Sequence, residues 1–322
     1  MTILSRRDFL GAALLTLSAP LISGKEKDRE LETVYLIKNK NRREGLRKAI
    51  GFFGNGPFNG DEIVIKTNLN SSDPYPASTD SATLETIIEI AKEKGVKNIV
   101  VAERSGMGET RKVMEKKGIF EMGKSLGFKA VVLDELPQED WVAKDLRDSH
   151  WKRGVLFPKL FLDADRIIQT CCLKTHRFGG EFTISLKNSV GMVSRFSPFD
   201  NYDYMKELHE SSFQKEMISE INLLYKPSLI ILDAMKVFTD MGPEKGPMKE
   251  ANLILSGKNR VAIDAVGVAI LRYLGSNPAI MRGRIFEKAQ IKRAVELGLG
   301  PKGPEYIEIK TDDDESERIG KL

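Results

Sequence analysis

The run Cys171-Cys172-Leu173-Lys174-Thr175-His176 concentrates more reactive side-chain types than any other stretch of this sequence. In an extended conformation Cys172, Lys174 and His176 share one face, because strand side chains alternate. An ammonium beside an imidazole suits an anion: the first supplies fixed charge, the second a donor or a proton shuttle. Cys172 and His176 also make a two-ligand set for a soft metal, which is two ligands short of a closed tetrahedral site. Two alternatives stand beside these: inert buried thiols, and a redox pair formed by Cys171 and Cys172. A disulfide between adjacent cysteines is disfavoured, since neighbouring Cα atoms lie ~3.8 Å apart, below the preferred range. These are the only cysteines in the chain. An ordinary iron–sulfur cluster takes four, so no intrinsic cluster is expected.

Two further segments repeat a lysine–asparagine pairing. Lys66-Thr67-Asn68 follows an apolar run, and Lys187-Asn188 lies in Ser185-Leu186-Lys187-Asn188-Ser189-Val190-Gly191. Two such pairs fit a ligand with several negative oxygens, a carboxylate or a phosphate. Lys187 also reads as a surface lysine and Asn188 as a helix cap. Asp264 is the one charge between Arg260 and Arg272, in an otherwise apolar helical pattern. A carboxylate buried there must be paired, hydrogen-bonded or protonated, in a structural or a functional role. Asp233 closes the apolar run 229–232. Gly242 lies in the turn-rich stretch 241–247, and Gly106-Met107-Gly108 offers backbone N–H groups between a strand and a helix. No nucleophile elbow, Walker loop or H-E-x-x-H motif is present.

Apolar runs predict strands at 33–37, 62–66, 98–102, 129–133, 166–170, 228–232, 252–255 and 306–309. Amphipathic periods predict helices at 42–52, 81–94, 110–117, 213–224, 260–274 and 285–297. The clearest is 81–94, where Leu84, Ile87, Ile88 and Ala91 form one stripe, Asp80 or Thr79 caps the start and Gly95 ends it. Strand–helix alternation predicts an α/β fold with a mostly parallel sheet and helices on both faces. In such sheets ligands bind beyond the carboxyl ends of the strands. Lys66, Asn68, Glu103, Asp134, Lys174, His176 and Asp233 all follow predicted strands and would gather along one edge. The aromatic segment 195–213 has no clean period and reads as a loop-rich insertion, either a lid or a packed excursion. The acidic run 312–315 reads as a frayed tail.

The amino terminus reads as a targeting segment. Arg6-Arg7 precedes Phe9-Leu10 and an apolar run to Ile22, too short to span a bilayer. The pattern resembles a twin-arginine signal, with an ordinary secretory signal or short anchor as the alternative. Residues 1–24 are thus expected to engage the twin-arginine translocation machinery. Residues 25–322 form a single α/β domain, without a stable membrane span after processing and acting in the periplasm or another extracytoplasmic space. Net charge is +4, or +3 once Arg6, Arg7 and Asp8 are set aside. So small a balance argues against a dedicated nucleic-acid binder.

Seven pieces, in order, resemble the domain-of-unknown-function family numbered 362. They are Ile65-Lys66-Thr67-Asn68; Phe157-Pro158-Lys159 with Asp163-Ala164-Asp165; Leu173-Lys174-Thr175-His176; Leu186-Lys187-Asn188 with Gly191; Asp233; Gly242-Pro243 with Gly246; and Ala262-Ile263-Asp264. The resemblance covers about residues 60–300. Members commonly carry proline after the first lysine, where this chain has Thr67. Some add a ferredoxin-like module with clustered cysteines, which this chain lacks. The resemblance implies a fold and a site more than a reaction. The leading expectation is an enzyme acting on an anionic small molecule or cofactor, with a metal ion admitted. Lys66, Asn68, Lys174, Lys187, Asn188 and Gly242 would bind the ligand. His176 would be acid, base or metal ligand, oriented by Asp233 or Asp264. The alternatives are a non-catalytic anion- or metal-binding maturation protein, and a redox protein using the cysteine pair.

Overall fold

Runs of valine, isoleucine and leucine with few charges form strands that are covered on both faces. A computed structural model describes residues 30–320 apart from 147, 179 and 180; the leader expected over 1–24 lies outside the described residues. Eleven strands occur among them: β1 (Glu32–Lys38), β2 (Glu62–Lys66), β3 (Asn98–Glu103), β4 (Lys129–Val132), β5 (Trp141–Lys144), β6 (Val155–Pro158), β7 (Ile167–His176), β8 (Glu181–Thr183), β9 (Leu229–Phe238), β10 (Met248–Gly257) and β11 (Ile307–Lys310). The main sheet has the order β11-β1-β10-β9-β7-β2-β3-β4, with β8 paired to β7, while β5 and β6 form a separate hairpin. The run β9-β7-β2-β3-β4 is parallel, and β10 runs antiparallel between β9 and β1. This is the expected α/β architecture with a mostly parallel sheet. Its carboxyl ends at β2, β3 and β7 lie side by side.

Alternate residues of each central strand enter different cores. Ile63, Ile65, Ile99, Val101 and Ile168 pack under the helices Arg42–Gly51, Ser81–Glu93 and Ile119–Leu126. Val64, Val100 and Ile167 face the opposite way, toward Trp151, Phe157 and the helix Gln214–Ile221. On that same side of the sheet Leu173, Ile230 and Leu232 pack against the helix Arg260–Tyr273. Each such buried Leu, Ile or Val contributes about 1.5–3 kcal/mol of apolar burial. The stripe Leu84, Ile87, Ile88 and Ala91 is buried as its period requires, with Asp80 accepting the Ala82 N–H at 2.9 Å as the N-cap.

Three local differences from the expected pattern have physical causes. The strands begun at 166 and 228 run on, to His176 and Phe238, because β7, β8 and β9 supply ladder partners to residues too polar to read as sheet core. The 195–213 segment contains a helix, Tyr204–Glu210, started by Asp203 accepting the Lys206 N–H at 2.8 Å. The acidic run does not fray: Asp312 pairs with Lys48 at 3.1 Å, Asp313 accepts the Ser316 N–H at 2.9 Å, and a helix spans Asp314–Gly320. Among the described residues no helix is long and apolar enough to cross a membrane.

Candidate functional site

The carboxyl ends of β2, β3 and β7 open into a cleft of about 380 Å³. Lys66, Asn68, Lys174, His176, Lys187 and Asn188 all line it, so six of the expected site residues meet at one place. Strand ends deliver the first four. The short helix Ser185–Asn188, directly after β8, delivers the other two. Arg195, Lys206 and His209 close the cleft from the 195–213 segment.

The floor is a continuous hydrogen-bonded chain. Lys174 Nζ donates to Asn68 Oδ1 at 2.8 Å, to Pro76 O at 3.2 Å and to Ala77 O. Asn68 Nδ2 donates to Asn188 Oδ1 at 3.3 Å, and Asn188 Nδ2 donates to Thr170 O at 3.0 Å. Lys66 Nζ donates to Glu103, to Thr67 O at 2.7 Å and to Asn188 Oδ1 at 3.4 Å. Glu103 in turn accepts the Thr67 hydroxyl at 2.8 Å, the Leu69 N–H at 3.0 Å and the Arg104 N–H at 3.0 Å. The Lys66–Glu103 pair is thus a buried anchor for the loop after β2.

The remaining charge is unbalanced. Lys66, Arg104, Lys174, Lys187, Arg195 and Lys206 line the cleft against Glu103, Asp203 and Glu210. Among the described residues, Lys174 and Lys187 have no carboxylate within ion-pair distance, and Lys187 Nζ makes no hydrogen bond. Burial, then the neighbouring Lys174 charge, brings the Lys187 ammonium down to about 8. Burial, then the charges of Lys187 and Lys174, holds the His176 imidazole well below its usual range. His176 is therefore neutral near pH 7.

Three polar atoms of cleft residues are buried without a partner: His176 Nδ1, Thr183 Oγ1 and Arg104 Nε. Buried polar atoms are normally hydrogen-bonded, and an orphan costs about 1–3 kcal/mol. Arg104 Nε and Thr183 Oγ1 are donors that match an anionic, oxygen-rich ligand, and His176 Nδ1 is left unengaged beside them. Arg104, Thr183, Arg195 and Lys206 were not among the expected site residues. Arg104 carried a usable signal, because it directly follows the polar end of β3.

Two glycines shape the site by close approach. A Cβ on Gly191 would stand 2.9 Å from Lys66 Nζ and 3.0 Å from Glu103 Oε1. One on Gly242 would stand 2.1 Å from Thr175 O. Gly242 N–H donates to Thr175 Oγ1 at 3.2 Å, which holds the 241–247 turn against β7 and leaves Pro243, not Gly242, lining the cleft. Gly242 is thus a packing residue.

The two aspartates lie elsewhere. Asp233 accepts Arg42 Nε at 3.0 Å, Tyr75 OH at 2.6 Å and Thr83 Oγ1 at 2.6 Å, which ties the 67–80 loop and the helix Ser81–Glu93 to β9. Asp264 accepts the Ser185 N–H at 2.8 Å and the Leu186 N–H at 3.2 Å, beneath the helix that carries Lys187. Neither touches His176, so the expectation that one of them orients the imidazole is corrected. Both were placed at the site because strand ends and buried charges are the commonest signals for it, and both are used to hold its supports.

The cysteine readings are corrected as well. Cys172 pairs with Asp233 in the ladder and does not line the cleft. Four residues of strand put it about 13 Å from His176 along the chain, too far for a shared ion. Among the described residues no group of three or more His, Cys, Asp or Glu is placed to hold a metal. Both thiols are buried, and burial pushes Cys172 up to about 11 and Cys171 well above the ordinary thiol value. Such thiols are poor nucleophiles and poor redox partners.

The family profile described as Domain of unknown function (DUF362) matches residues 63–269, more than half of the chain. The chain belongs to this family. It is also similar to a thylakoid-associated protein of Synechocystis, at 24% identity over 252 residues that cover 75% of each chain. Among solved structures it is similar to the lactate racemase apoprotein of Thermoanaerobacterium thermosaccharolyticum, with 16% identity and a TM-score of 0.45. That likeness covers 72% of this chain and 56% of the other, so the chain spans little more than half the length of that structure. The matched family region contains every floor residue of the cleft.

Proposed function

We propose that the cleft binds an anionic small molecule or cofactor with several oxygens, a carboxylate or phosphate, and that the protein is an enzyme acting on it. The observation that carries this reading is Lys174 and Lys187 facing one cleft with no carboxylate to balance them. Buried cations without a counter-ion are costly unless a ligand supplies the counter-charge. Arg104 Nε and Thr183 Oγ1 are unpartnered donors for its oxygens.

Catalysis is assigned to His176. Its imidazole is neutral while the lysines are uncompensated. An anion that offsets their charge raises its basicity at the moment the substrate arrives. A metal ion enters this reading only together with the ligand, since the described residues offer no group able to hold one alone. The Arg6-Arg7 pattern supports export of the folded chain by the twin-arginine route and action outside the cytoplasm. The thylakoid association in the relative's name agrees with a membrane-bounded setting.

The alternative is a binding or maturation protein that holds the same anion without turnover. A thermal-shift screen of phosphates and carboxylates identifies the ligand class. His176→Ala then separates the readings: an enzyme loses turnover far more than affinity, whereas equal losses identify a binder. A protein stabilised by no anion would sink both.

A further inference from the structure

We propose that Lys187 is a nucleophile that forms an imine with a carbonyl carbon of the bound anion, which makes the substrate class a small oxo acid. This rests on the anion-binding reading above and names its substrate.

Three buried lysines reach the cleft, and their surroundings differ. Lys66 is surrounded by Glu103, Thr67 O and Asn188 Oδ1. Lys174 is surrounded by Asn68 Oδ1, Pro76 O and Ala77 O. Three acceptors around each nitrogen engage it fully, so although burial lowers both lysines, neither amine is free to turn toward a ligand. Lys187 is buried at 9% exposure and has no acceptor among the described residues. Burial, with the Lys174 charge second, brings Lys187 down to about 8. A desolvated lysine beside a second cation is a recognised arrangement for an amine nucleophile.

The other cleft groups complete the step. The neutral amine attacks the carbonyl carbon, forming the C–N bond. His176 Nδ1, buried and unpartnered, carries the first proton released from nitrogen to the carbonyl oxygen, giving the carbinolamine, and the second to its hydroxyl, which leaves as water when the C–O bond breaks and the C=N bond forms. The products are the imine and one water, with no oxidant or reductant consumed. The ligand's anionic group lies among Arg104, Thr183 and the Lys174 charge, which leaves the carbonyl beside Lys187.

The test uses the folded protein with pyruvate or 2-oxoglutarate and sodium cyanoborohydride, read by intact mass and peptide mapping. The expected result is one adduct, of mass equal to the oxo acid less one oxygen atom, mapped to Lys187 and absent in Lys187→Arg. Lactate, which lacks the carbonyl, should raise the melting temperature without forming an adduct. If the oxo acids and lactate all stabilise the protein but no adduct forms, the imine is wrong and the anion site stands. Adducts spread over surface lysines overturn the imine as well. If no compound stabilises the protein or reacts, both readings fall.

Discussion

Asp264 accepts the backbone N–H of Ser185 at 2.8 Å, from a helix distant in sequence and fully buried. It also accepts the Ser185 hydroxyl and the Leu186 N–H, so one carboxylate holds the start of the short helix that carries Lys187 and Asn188. Asp264→Ala leaves the Ser185 and Leu186 N–H groups buried without that acceptor, at about 1–3 kcal/mol for each, while the Ser185 hydroxyl keeps Arg260 O at 3.2 Å. The expected outcome is a large loss of stability together with weaker anion binding, measured by denaturant titration and calorimetry. Intact affinity in a folded Asp264→Ala protein would show that the helix needs no such anchor.

The same carboxyl group makes stability depend on pH. Burial raises Asp264 from 3.8 to about 7, against the pull of the Ser185 and Leu186 donors. Its folded value exceeds its unfolded value, so its contribution is complete below about 3.8 and is lost as pH rises through 7. Unfolding free energies across pH 4–8 should therefore fall more steeply in the wild type than in Asp264→Asn. Parallel curves would refute the raised value.

Lys187 should be a residue that function keeps at the expense of stability. Lys187→Met removes an unpaired buried ammonium, and the free protein should gain roughly 1–3 kcal/mol near pH 7. The gain should shrink above pH 8 and vanish past the ordinary lysine value of 10.5, where the wild-type side chain is neutral in both states. Anion affinity should fall roughly 10- to 100-fold. A variant that is both less stable and equally tight in binding would contradict the assignment.

Gly191→Ala places a methyl group 2.9 Å from Lys66 Nζ and 3.0 Å from Arg104 O. Neither can retreat easily, because Lys66 is anchored to Glu103 and Arg104 is buried. Overpacking of this kind costs about 1–3 kcal/mol. The melting temperature should drop and ligand binding weaken together; a neutral substitution would show the anchor to be more yielding than its geometry indicates.

Cys171 and Cys172 should resist alkylation in the native protein and react fully in denaturant, because burial keeps both thiols protonated. Rapid native labelling of either would restore the redox reading.

Particular residues show where the sequence was legible. The stripe Leu84, Ile87, Ile88 and Ala91 located its helix because burial on one side imposes a period. Lys66, Lys174 and His176 could be placed on one edge because parallel strands leave their carboxyl ends together. Asp233 was misplaced because a polar residue after an apolar run looks like a strand end, whereas β9 continues five residues further. The hairpin β5–β6 and the helix Tyr204–Glu210 were hidden because their packing partners lie on other elements. Arg104 escaped because its burial depends on Val190 and Met205, far along the chain.

β7 runs between β2 and β9 and ends in the cleft, while the helix Tyr204–Glu210 lies outside the sheet, buries Tyr204, Met205 and Leu208, and turns the exposed Lys206 and His209 to the cleft. Mutational drift is therefore partitioned. A substitution at Lys174 or His176 alters a strand that the whole sheet depends on, and selection will remove most such changes. One at Lys206 or His209 alters ligand selection at small folding cost. Relatives sharing the same floor can diverge in what they accept through the overhanging helix alone.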